Sequence, residues 1–73
     1  MSVIEKSKLL NLINEEFAKL PDYDESIKAT NVAINSNTGE LEVYPNVTDS
    51  RVFDFKYYLE EVTHKLDRYS KII

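Results

Sequence analysis

The stretch VFDFKYYLEEVTHKLDRY, residues 52–69, carries the most distinctive pattern in the chain. It holds five of the eight aromatic side chains and the only histidine, among alternating charges. Apolar residues recur in it, and just beyond it, at steps of three and four: Val52, Phe55, Leu59, Val62, Leu66, Tyr69 and Ile73. This a/d repeat predicts a helix over about residues 50–71, with the repeated residues forming a core or dimer stripe and Tyr58 at its flank.

The opposite face of this predicted helix contains Phe53, Tyr57, Glu60, His64 and Lys71. A helix that packs on one side leaves the two aromatic rings in water, and three explanations compete. Residues 52–55 form a short strand before the helix; or the rings are ordinary exposed aromatics; or they anchor a partner protein, as aromatics do at interfaces. The third explanation is the sharpest functional hypothesis. It makes Phe53, Tyr57 and His64 the candidate partner-binding residues.

Upstream of this helix, IKATNVAINSNTGELEVYPN predicts a β-hairpin with strands over about residues 27–35 and 40–45. The loop SNTG between the strands contains the only glycine, Gly39. Glycine is preferred there because it adopts a left-handed conformation without steric cost. The apolar residues share one face only in the register that pairs Ile34 with Leu41 and Val32 with Val43.

The N-terminal segment predicts a second helix, over about residues 3–19. Ser2 and Glu5 have the spacing of a capping box, and apolar residues follow at helical intervals until Pro21. The predicted order is therefore α-β-β-α, a small α+β fold with two helices packed on the hairpin. With 73 residues and no cysteine, the chain forms one domain at most, residues 1–73. Such a small unstapled scaffold favours a homodimer.

The ionisable residues argue against an enzyme. His64 lies within helical reach of Glu60 and Glu61, but that arrangement is typical of a surface pair, and no second strong metal ligand is evident. Adjacent carboxylates such as Glu15 and Glu16 point about 100° apart on a helix, so we expect a solvated face there. We therefore expect no catalytic residue, no cofactor and no metal site.

The charge distribution leaves two competing hypotheses about nucleic acid. The net charge of −4 makes direct binding of nucleic acid unfavourable. A regulator acting on DNA would use the basic cluster late in the predicted helix, Lys65, Arg68 and Lys71. An acidic inhibitor that mimics DNA would instead present the carboxylates of Asp22, Asp24, Glu25, Glu40 and Glu42.

Neither a long apolar run nor a secretory signal pattern is found, so we expect a cytoplasmic protein that does not enter membranes. Asn, Lys, Ile and Tyr are plentiful, whereas Gly, Pro and Trp are scarce, a bias typical of AT-rich genomes. Composition and size together resemble small bacterial or phage accessory proteins in general, although no motif identifies a family. The sequence thus predicts a non-enzymatic protein that acts through protein–protein interaction or regulation.

Overall fold

The structure is a computed structural model that describes residues 2–66 and 69–73. The elements in chain order are β1 (Ser2–Ile4), α1 (Lys6–Ala18), β2 (Ala29–Ile34), β3 (Leu41–Pro45), α2 (Arg51–Thr63) and β4 (Tyr69–Ile72). The fold is small, compact and mixed α+β, which is the class that the sequence predicts. Within the described ranges, neither helix has the length and apolar character that crossing a membrane requires.

The first correction concerns the N-terminal segment, where the predicted helix over residues 3–19 begins later. Ser2–Ile4 is a strand, β1, which pairs in parallel with β4 so that Ile4 lies opposite Ile72. The capping box does not form, because Glu5 is the N-cap of α1 and makes no capping hydrogen bond with its side chain. The element order is therefore β-α-β-β-α-β, and the predicted order α-β-β-α is wrong at both ends.

The second correction concerns the helix predicted over residues 50–71, which ends at Thr63. Residues 64–66 form a turn, and β4 follows after the gap at residues 67–68. The turn still places Leu66 in the core, with 2% of its surface exposed. The apolar repeat thus continues beyond the helix because a turn and a strand also direct apolar residues inward. Residues 52–55 are helical, so the strand alternative is wrong.

The strands β2 and β3 pair antiparallel, with Ile34 opposite Leu41 and Val32 opposite Val43. The connection turns at Gly39, which adopts a left-handed conformation with φ of 75°. Its N–H donates to the carbonyl of Asn35 at 2.8 Å. This is the register in which the apolar side chains share a face.

The core lies between the two helices and the strand β2. Its buried apolar residues are Leu9, Ile13, Phe17, Ile27, Ala29, Val32, Val47, Phe55, Tyr58, Val62 and Leu66. On α2 the buried stripe runs through Phe55, Tyr58 and Val62, whereas Val52 and Leu59 are only partly buried. Tyr58, predicted at the flank, is 6% exposed. Because this stripe is buried within a single chain, it does not offer a surface for dimerisation.

Candidate interaction surface on helix α2

The start of α2 is fixed by Asp49 and Arg51. The Asp49 carboxylate accepts hydrogen bonds from the backbone N–H of Arg51 at 3.0 Å and from its Nη2 at 2.9 Å. These bonds from Arg51 hold the pKa of Asp49 below its ordinary value. Arg51 Nη1 also donates to Ser26 Oγ at 3.1 Å, which joins the start of α2 to the loop before β2. The orientation of the helix is therefore set at its first residue.

The inner face of α2 is anchored by aromatic contacts. The Phe55 ring meets Phe17 edge to face, with centroids 5.6 Å apart, and the Tyr58 ring meets Tyr23 at 5.4 Å. The Tyr58 hydroxyl accepts a hydrogen bond from the N–H of Asp24 at 3.1 Å, so this buried polar group is satisfied. Ring packing and hydrogen bonding together prevent α2 from rotating about its axis.

With the inner face fixed, the opposite side of α2 must face outward. Phe53 is 72% exposed and Tyr57 is 57% exposed. They are one helical turn apart and therefore lie on the same side of the helix. His64, also exposed, follows the last turn as the C-cap residue. The three predicted partner-binding residues thus lie along one exposed side, which we call the α2 outer face and define as Phe53, Lys56, Tyr57, Glu60 and His64.

Lys56 belongs to this face although the sequence analysis did not select it. Its Nζ lies 5.9 Å from the centroid of the Phe53 ring, a cation–π distance that stabilises exposed pairs by about 0.5–1 kcal/mol. The Tyr57 ring lies 6.3 Å from the ring of buried Tyr58, so it rests partly on the core. Both contacts restrict exposed rings that would otherwise rotate more freely. The signal for Lys56 was its spacing of three residues from Phe53.

Glu16 departs from the expectation of a solvated acidic face. It is 6% exposed, whereas its neighbour Glu15 is exposed. Its carboxylate accepts hydrogen bonds from Lys65 Nζ at 3.2 Å and Lys19 Nζ at 3.3 Å. The bond from Lys65 contributes most to holding the pKa of Glu16 below its ordinary value of 4.5. An ion pair between the buried carboxylate of Glu16 and the half-exposed side chain of Lys65 therefore ties α1 to the turn after α2.

This ion pair also bears on the basic cluster proposed for DNA. Lys65 is engaged by Glu16, and Lys71 lies on β4, beyond the end of α2. Arg68 lies outside the described residues. Because α2 ends at Thr63, Lys65 and Lys71 do not share a face of one helix, as the prediction required of them.

Among residues 2–66 and 69–73, no group of three or more His, Cys, Asp or Glu side chains lies close enough together to hold a metal ion. A surface hollow of about 590 Å³ is lined by Glu5, Lys6, Ser7, Leu10 and Ile73. Its polar lining residues are Glu5, Lys6 and Ser7.

Comparison with known proteins yields no relative. No protein-family model, no curated protein and no solved structure matches the chain.

Proposed function

We propose that the protein is a non-enzymatic protein–protein interaction or regulatory protein that works as a homodimer and binds a second protein through the α2 outer face. The observation that carries this proposal is the exposure of Phe53 and Tyr57, at 72% and 57%, on a helix whose other side is buried. Two adjacent exposed rings cost free energy in water unless another surface covers them. The proposal extends to a bacterial or phage accessory role in the cytoplasm.

The chemistry of the α2 outer face indicates what kind of partner surface it fits. Phe53 and Tyr57 supply flat apolar area with little side-chain entropy to lose, as aromatic anchors do at interfaces. Lys56, Glu60 and His64 surround them and can form hydrogen bonds at the rim. This arrangement suits an apolar groove on a partner protein, in which one helical face is inserted.

The test is the double substitution Phe53→Ser plus Tyr57→Ser, used as bait in an affinity pull-down from the native host with identification by mass spectrometry. The thermal midpoint should change by only a few degrees, because both rings are exposed. Binding of the captured partner should weaken by at least about thirtyfold, since truncating even one hot-spot aromatic typically costs about 2 kcal/mol or more.

The matched control is Asn11→Ser plus Glu15→Ser, which changes two exposed residues one turn apart on α1. This control should retain the partner. If the Phe53/Tyr57 variant folds and captures the same partner with unchanged affinity, the interaction surface lies elsewhere. If it unfolds, the two rings contribute to the core.

The homodimer has its own test, because a chain of 73 residues buries only about 60% of its unfolded surface. Sedimentation equilibrium at micromolar concentration should give about twice the chain mass of 8.5 kDa. A mass that stays at 8.5 kDa across the concentration range would contradict the homodimer and leave partner binding untouched.

A second candidate function is an acidic inhibitor that mimics DNA. It is favoured by the exposure of all five nominated carboxylates, Asp22, Asp24, Glu25, Glu40 and Glu42. A competition experiment checks it: the protein should displace duplex DNA from a DNA-binding enzyme, and charge-neutralising Glu40→Gln plus Glu42→Gln should weaken that effect. Direct binding of the protein to labelled duplex DNA at low salt would instead favour a regulator that contacts DNA.

A further inference from the structure

We propose that the homodimer forms through the outer edge of β3, which pairs antiparallel with β3 of a second copy about a two-fold axis at Val43. This inference rests on the homodimer of the proposed function and specifies its surface. It leaves the α2 outer face available for a different protein.

The edge of β3 that faces away from β2 is open. Within residues 2–66 and 69–73, β2 and β3 form a two-stranded sheet of their own. The N–H of Asn35 donates to the carbonyl of Glu40 at 2.8 Å, so these two residues form a hydrogen-bonded pair. Hydrogen-bonded pairs alternate along an antiparallel ladder, which directs the N–H and C=O groups of Leu41 and Val43 away from β2. Such a row of outward backbone groups is a template for another strand.

The same strand is the least covered part of the sheet. All five residues of β3 are described, and none of them is buried, whereas Ala29 and Val32 of β2 are 5% and 3% exposed. Leu41 and Val43 are apolar and only half-buried, although they lie opposite apolar residues of β2. A second copy paired about Val43 would place its own Val43 opposite Val43 and its Pro45 opposite Leu41, which would remove apolar area from water.

The charges select the register. With the axis at Val43, Glu42 lies opposite Tyr44 of the second copy, and the two Val43 residues form a hydrogen-bonded pair. With the axis at Leu41, Glu40 would lie opposite Glu42 of the second copy, and like charges directly opposite each other are destabilising. Pro45 ends the edge because it has no N–H to donate. With the axis at Glu42, the two Glu42 residues would lie opposite each other, so of these three registers only the one about Val43 avoids a like-charge pair.

The experiment is sedimentation equilibrium on the full chain and on charge variants of this edge. Tyr44 is 44% exposed, so Tyr44→Glu should leave the fold intact. In the dimer, the introduced carboxylate of each copy lies opposite Glu42 of the other copy, which creates two like-charge pairs. We expect dimerisation to weaken about tenfold, since two cross-strand pairs become like-charge pairs. The swap Glu42→Lys plus Tyr44→Glu restores opposite charges and should restore dimerisation.

A second repulsive variant, Glu42→Lys plus Tyr44→Lys, gives two lysine pairs and should weaken dimerisation like Tyr44→Glu. The repulsive variant used for the test is one whose circular dichroism spectrum matches that of the wild-type chain. Unchanged dimerisation in that variant overturns the β3 edge. So does loss of the dimer in Phe53→Ser plus Tyr57→Ser, which would assign self-association to the α2 outer face. A wild-type chain that stays monomeric throughout the micromolar range also overturns this inference, while the pull-down still decides partner binding separately.

Discussion

The two sides of α2 use the same residue types in opposite ways. Phe55 and Tyr58 are 2% and 6% exposed and hold the helix against the core, whereas Phe53 and Tyr57 are 72% and 57% exposed. The two phenylalanines are two positions apart, and the two tyrosines are adjacent. Because successive helical residues point about 100° apart, so small a shift along the chain exchanges a core residue for a surface residue. Helical phase, and not residue type, decides here which rings are buried and which are exposed.

The largest expected effect is on the free energy of unfolding, and it should differ between the two phenylalanines. Phe55→Ala should lower the free energy of unfolding by about 3–5 kcal/mol, because it leaves a cavity beside Phe17. Phe53→Ala should change it by no more than about 0.5 kcal/mol, as surface substitutions usually do. Urea titrations followed by circular dichroism measure both. Equal losses at the two positions would remove the distinction between the two sides of α2.

A smaller effect is expected at the boundary between the two sides, where Leu59 is half-buried. Leu59→Ala should cost about 1–2 kcal/mol, which is less than the roughly 2–5 kcal/mol typical of a fully buried leucine. Glu60→Ala, one residue further round, should stay within about 0.5 kcal/mol. The same denaturant titrations apply. A loss at Leu59 as large as that at Phe55 would show that the core stripe extends further round the helix.

The two tyrosines differ in what their hydroxyl groups do. Tyr58→Phe removes the acceptor for the Asp24 N–H and the donor to the Asp22 carbonyl, so it should cost about 1 kcal/mol. Asp22 has a positive φ of 62°, a conformation that non-glycine residues adopt infrequently, and the Tyr58 hydroxyl helps to hold it. Tyr57→Phe is the control and should leave the thermal midpoint unchanged. A similar loss in both variants would contradict the anchoring role of Tyr58.

The same contrast between neighbours occurs on α1, where Glu16 is buried and Glu15 is exposed, and it predicts a pH dependence. The pKa of Glu16 is lowered in the folded state, chiefly by the hydrogen bond from Lys65. Its stabilising contribution is therefore present above the ordinary value of 4.5 and is lost as the pH falls through the lower folded pKa. Glu16→Gln should make the acid-induced loss of stability shallower, whereas Glu15→Gln should not. Denaturant midpoints measured from neutral pH down to well below that ordinary value provide the test, and identical pH profiles for the two variants would contradict it.

The sequence predicts the fold well where pairing is local. The register of β2 and β3 follows from alternating apolar residues on either side of a loop that needs a left-handed glycine. The pairing of β1 with β4 has no such signal, because its partners lie at opposite ends of the described chain and parallel strands share no turn. Val3 and Ile4 therefore fit a helix start, and Tyr69 and Ile73 fit a heptad repeat. Local pattern does not distinguish these alternatives.

The candidate surface follows the same rule. Helical periodicity places Phe53, Tyr57 and His64 on one side, since all three depend only on local phase. The buried position of Glu16 depends on Lys65, which is 49 residues away in the sequence. The burial of Tyr58 depends on the loop that contains Asp22 and Asp24. The sequence analysis missed the burial of both side chains, because a polar group is buried only when a partner distant in the sequence provides its hydrogen bond.

The pairing of β1 with β4 also constrains the order in which the chain folds. Bringing Ser2 to Tyr69 closes a loop roughly ten times longer than the one between Ile34 and Leu41, which costs on the order of 2 kcal/mol more in chain entropy. The helices and the β2–β3 pair should therefore form first, with the β1–β4 pair closing last. By the same reasoning that pair should open first, so the amide of Ile73, which donates to the Ile4 carbonyl, should exchange with deuterium sooner than the amides within α2.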